Sequence, residues 1–103
     1  METTVDNRIV FVPNRAGHDF SDAWRFGDLV FCTDGLLNRK DIASMQSELS
    51  KAMQHSEPDD YILLTSLTSL CTIACSIFAR KHGRLNLLLY EDGQYLERTI
   101  TFS

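Results

Sequence analysis

YILLTSLTSLCTIACSIFARKHGRLNLLLY, residues Tyr61–Tyr90, reads as a strand, a helix and a second strand. Its two ends, Tyr61–Leu64 and Leu85–Tyr90, are short and almost wholly apolar, with no alternation of apolar and polar positions. That pattern belongs to strands buried on both faces, as in a parallel or mixed sheet. Between them, Leu67 to about His82 carries Leu70, Ile73, Ile77 and Phe78 at helical spacing, with Ser66 as a candidate N-cap and Gly83 as a C-cap. Almost no position before Arg80 is charged, which predicts a helix buried around most of its circumference.

Two further apolar runs lie upstream, Ile9–Val12 within a strand from Arg8 and Leu29–Cys32 within a strand from Asp28. Pro13-Asn14 stops the first strand and Thr33-Asp34-Gly35 turns the chain after the second. Ser21 is placed to cap a short helix, Asp22–Phe26, closed by Gly27. From Asp41, Ile42, Met45, Leu49, Ala52 and Met53 form the stripe of an amphipathic helix, and Pro58 bars its continuation. Downstream, Asp92-Gly93 is a hairpin signal, and Tyr95–Phe102 alternates as a half-exposed edge strand should.

Alternating strands and helices predict an α/β fold: a small flavodoxin-like or Rossmann-like sheet of four to five strands in order 2-1-3-4-5. The sheet is mostly parallel and ends in an antiparallel hairpin. Two long helices then lie on one face and only the short helix on the other. Phe20, Trp24 and Phe26 are too little to cover that second face, so a second copy of the chain is expected there as partner in a homodimer. Residues 1–7 read as a short tail and 8–103 as a single domain, ordinary for 103 residues.

Ten basic and fourteen acidic residues leave a net charge of −4. Acidic domains repel phosphate backbones unless their cations cluster, and Arg80, Lys81, His82 and Arg84 are explained by the end of a helix, so nucleic acid is not expected as a partner. No apolar stretch approaches the ~20 residues that span a bilayer, and the polar, acidic start has no signal-peptide pattern. Three cysteines, Cys32, Cys71 and Cys75, sit in strand or helix sequence. They suit reduced thiols in a cytoplasmic protein, and Cys71 and Cys75, four apart, lack the ligand set of a metal site.

Open α/β sheets bind ligands at the carboxyl ends of their parallel strands. That edge collects Asn14, Arg15, His18 and Asp19 after the first strand, Thr33 and Asp34 after the second, and Thr65, Ser66 and Ser69 after the third. Arg15 offers a fork for carboxylate or phosphate, the Ser66–Ser69 helix start offers amide donors, and His18 beside Asp19 offers acid–base chemistry. An anionic small molecule, such as a nucleotide or phosphorylated metabolite to be bound or hydrolysed, is the reading these residues support. Each also has an ordinary structural role in a turn or cap. No GxGxxG, GxxxxGK[ST] or GxSxG occurs, no cofactor is implied, and no catalytic constellation is complete. His18, His55 and His82 are far apart in this topology, which argues against a metal.

PNRAGHDFSDAWRFG from Pro13, DDYILLTSL from Asp59 and ARKHGRLNLLLYEDGQY from Ala79 resemble stretches of small hypothetical proteins of tailed bacteriophages. The resemblance implies a phage-encoded accessory protein in a bacterial cytoplasm and assigns no residue a role. Together with the surplus apolar strand surface, it leads to a non-enzymatic protein that binds other proteins: its own copy, or a host or viral protein.

Overall fold

A computed structural model of the chain describes residues 8–15, 19–33, 41–65 and 67–102. In chain order the elements are β1 (Ile9–Val12), a 3-10 helix (Ser21–Arg25), β2 (Asp28–Phe31), α1 (Ile42–Ala52), β3 (Tyr61–Leu63), α2 (Thr68–His82), β4 (Arg84–Glu91) and β5 (Gln94–Thr101). They build one five-stranded mixed sheet in the order β2-β1-β3-β4-β5. Val10 stands beside Leu29 of β2 and Tyr61 of β3, Ile62 beside Leu87 of β4, all in parallel register, while β5 runs antiparallel to β4 with Leu88 opposite Glu97. No helix among the described residues is long and apolar enough to cross a membrane.

Local chemistry accounts for the boundaries. Asp92 and Gly93 both take positive φ, 50° and 84°, the two-residue turn whose twist matches that of the flanking strands. Gly83 closes α2 at φ 72°, its N–H donating to the Ala79 carbonyl. Asp41 caps α1 by accepting the Ser44 N–H at 3.1 Å. The short helix differs from expectation. It is 3-10 and includes Ser21 as its first residue, with Phe20 at the N-cap position, and Asp19 accepts both the N–H and the hydroxyl of Ser21, at 3.0 and 2.7 Å. Leu67 stands at the N-cap of α2 with no side-chain bond; Ser66, expected there, lies outside the described residues.

The period of two divides each central strand between two cores. Phe11, Ile62 and Leu85 bury with Met45, Leu49 and Met53 of the α1 segment and Leu70, Ala74 and Phe78 of α2. Val10, Val12, Tyr61, Leu63, Leu88 and Tyr95 bury with Ala23, flanked by Phe20, Phe26, Leu29 and Phe31. This second core corrects the expectation of a bare sheet face. Val10, Val12, Leu63 and Leu88 are wholly buried in the single chain, in a core completed by Ala23 of the 3-10 helix, Phe20 and Phe26 at its two ends, and the side chains of Leu29, Phe31 and Tyr95 from the outer strands.

Two further expectations fail. Ile42 is half exposed, since as the first residue of α1 it sits beyond the core's reach. The α2 helix is not buried around most of its surface: Ser69, Thr72 and Ser76 face solvent, an uncharged but hydroxyl-bearing side, and Ser76 satisfies its hydroxyl on the Thr72 carbonyl at 2.8 Å. Near the starts of β3 and β4, two buried polar residues tie the strands together. Asp60 accepts the N–H groups of Ile9 and Glu57, at 2.9 and 2.8 Å. Asn86 donates to the carbonyls of Pro58 and Asp60, at 2.7 and 2.8 Å. Each bond satisfies a group whose desolvation would otherwise be costly.

Candidate functional site

The carboxyl edge brings together only part of the predicted set. Thr33, at the end of β2, is buried and donates its hydroxyl to the Pro13 carbonyl at 2.7 Å, with the side-chain oxygen of buried Asn14 at 3.2 Å. These two residues bolt β1 to β2 and turn their polar atoms on each other. Arg15 is exposed, and its guanidinium lies 3.8 Å above the Phe31 ring centre, a cation–π contact. Asp19 is spent on Ser21, whose hydroxyl and N–H hold its carboxyl below the usual range. Thr65 sits at the end of β3, where its N–H reaches Cys71 Sγ at 3.2 Å and its hydroxyl receives the Leu67 N–H at 3.4 Å. Ser69 is exposed in the first turn of α2. His18, Asp34 and Ser66 lie outside the described residues.

Beside Thr65 an open groove of about 440 Å³ runs along α2, lined by Leu64, Thr68, Cys71, Thr72, Cys75 and Ser76. Its Cys75 thiol is a poor nucleophile, pushed by burial up to about 11; outside the groove, burial pushes Cys32, which follows β2, up to about 12. Among the described residues the lining offers hydroxyls and thiols and no charged group, which gives this groove little means of selecting a ligand.

A second surface is built at the outer edge of β5, the last strand of the sheet. The Tyr95 N–H donates to Asp22 Oδ2 and the Tyr95 carbonyl accepts from Arg25 Nη2, both at 2.7 Å. Asp22 and Arg25 are themselves paired at 3.1 Å, so the 3-10 helix holds the start of the strand as a neighbouring strand would. The Tyr95 N–H and Arg25 keep the Asp22 carboxyl below the usual range. Since Tyr95 turns its backbone outward, Glu97, Thr99 and Thr101 do so too, while the Phe102 N–H turns inward to the Gly83 carbonyl at 3.0 Å. The Glu97 carbonyl accepts from its neighbour Arg98 at 2.8 Å. Among the described residues no partner meets the outward N–H groups of Glu97, Thr99 and Thr101, or the carbonyls of Thr99 and Thr101. The register puts Leu96, Arg98 and Ile100 on the same face as Leu85, Leu87 and Leu89, beyond the cover of the helices. Ile100 is 44% and Phe102 52% exposed.

The alternation of Tyr95–Phe102 was a sufficient signal for an edge strand. Its clamp was not visible, because Asp22 and Tyr95 are 73 positions apart and neither belongs to a motif. The same holds for the chain from Arg8 to the Tyr61 hydroxyl and on to Glu97, each step 3.1 Å. Compared with known proteins, residues 8–102 match the model of a family described as Phage Pam3 gp32-like protein. No curated protein and no solved structure gives a match.

Proposed function

Since the chain belongs to the phage Pam3 gp32-like family, we propose that it is a non-enzymatic accessory protein that works by binding protein, as a homodimer, in the cytoplasm of an infected bacterium. The order of the sheet and the division of its core support a small flavodoxin-like layer, with the long helices on one face and the 3-10 helix on the other. One observation carries the binding reading: an edge strand with unmet backbone groups that also leaves Ile100 and Phe102 in water. Proteins that remain monomers blunt such edges, because they template association. A small-molecule site at the carboxyl edge has weaker support, as Asn14, Thr33, Arg15 and Asp19 are engaged with their own neighbours. Light scattering on a sizing column tests the proposal. At micromolar concentration the mass should be twice 11.7 kDa; a monomer at every concentration up to solubility would refute it.

A further inference from the structure

We propose that two copies join along β5, antiparallel about a two-fold axis through Thr99, so that their sheets fuse into one. This rests on the homodimer reading and names its surface and register.

Three constraints select the register. A two-fold axis perpendicular to the sheet keeps both helix-bearing faces on one side, so facing residues carry numbers of the same parity. Among the described residues of β5 only Glu97, Thr99 and Thr101 offer free outward backbone groups, and the Asp22–Arg25 clamp on Tyr95 ends the free segment. Charge and the length of the strand remove the neighbouring solutions. An axis through Glu97 sets two carboxylates face to face, one through Arg98 two guanidiniums, and like charges directly opposite are unfavourable. An axis through Ile100 pairs Thr99 with the partner's Thr101 but carries Glu97 past the last strand residue.

Through Thr99, every free group is used. Glu97 pairs with the partner's Thr101, Thr99 with the partner's Thr99, and Thr101 with the partner's Glu97. Between them Leu96 meets the partner's Phe102, and Arg98 meets the partner's Ile100. The two most exposed apolar residues of the strand segment, Ile100 and Phe102, are thereby covered. Arg98 gives up its bond to the Glu97 carbonyl, which takes the partner's Thr101 N–H instead.

The test is a cysteine scan of the edge under mild oxidation, read on non-reducing gels with the wild-type protein as background. A hydrogen-bonded antiparallel pair sets its Cα atoms about 5.5 Å apart, within disulfide reach. Thr99→Cys should therefore cross-link at least about tenfold faster than Glu97→Cys or Thr101→Cys, whose copies stand about 13 Å apart in this register. Thr99→Pro removes only an outward N–H, so the β4–β5 ladder survives while the mass in solution falls to that of the monomer. A dimer that persists in Thr99→Pro and does not cross-link through Thr99→Cys would overturn the β5 pairing and leave self-association standing. Preferred cross-linking through Glu97→Cys or Thr101→Cys would overturn the register. A wild-type monomer at all concentrations would sink both readings.

Discussion

Gly27 is the position where a single added carbon meets an immovable neighbour. A Cβ there would lie 2.3 Å from the Arg8 carbonyl oxygen and 2.8 Å from its carbon, backbone atoms fixed by the bond from the Asp28 N–H. Gly27→Ala should cost about 2–3 kcal/mol, the range of a strained overpacked site, and lower the melting temperature by about 10 °C. A melt within about 2 °C of wild type would show that the junction yields. His82 gives a second test. Its Nε2 lies 2.9 Å from the hydroxyl of buried Ser56 and its ring against Phe78, with centroids 4.5 Å apart. Burial, and then Lys81, lower its pKa from 6.5, against the opposing pull of Asp60 and Glu57. The unfolded chain thus binds a proton that the fold refuses, and stability present above about pH 6.5 is lost as the pH falls below it. Urea midpoints should drop between about pH 7.5 and 5, and less so in His82→Gln; an equal drop in both proteins would remove His82 as the cause.

At the scale of elements, helix pattern and helix burial part company. The stripe of α1 was read correctly at Met45 and Leu49, because a charged opposite face leaves only one way to bury it. With no charge before Arg80, α2 carries no such marker, and nothing in its pattern separates the hydroxyl side, which faces solvent, from the core side. Likewise the 3-10 helix is five residues long, yet it shields a face and clamps a strand through Asp22 and Arg25. Asp22→Ala should therefore speed hydrogen exchange at the Tyr95 amide while leaving Leu96 and Arg98, bonded to β4, nearly unchanged. An unaltered Tyr95 rate would mean that the clamp contributes nothing to the order of the edge.

At the scale of the whole molecule, the two cores should open together, and the thiols report on it. With Cys75 pushed up to about 11, roughly one molecule in a thousand carries its thiolate at pH 8, and Cys32, at about 12, fewer still. Thiol reagents at that pH should find Cys32 and Cys75 slow in the native protein and all three cysteines fast in denaturant; rapid native labelling of Cys32 or Cys75 would contradict the packed structure. What the sequence determined by itself was local or periodic: unbroken apolar runs that must be strands, the stripe of α1, and the Gly83 and Asp92-Gly93 stops. Each follows from backbone conformation and side-chain period, which neighbours along the chain dictate. Only the tertiary structure decided which surfaces remain bare. The face expected to need a partner is closed by Ala23, Phe20 and Phe26, while the rim of β5 stays open among the described residues. Exposure is set by residues distant in sequence, such as Asp22 reaching Tyr95 or Asn14 turning to Thr33, and no period or spacing along a chain records who arrives from the other side.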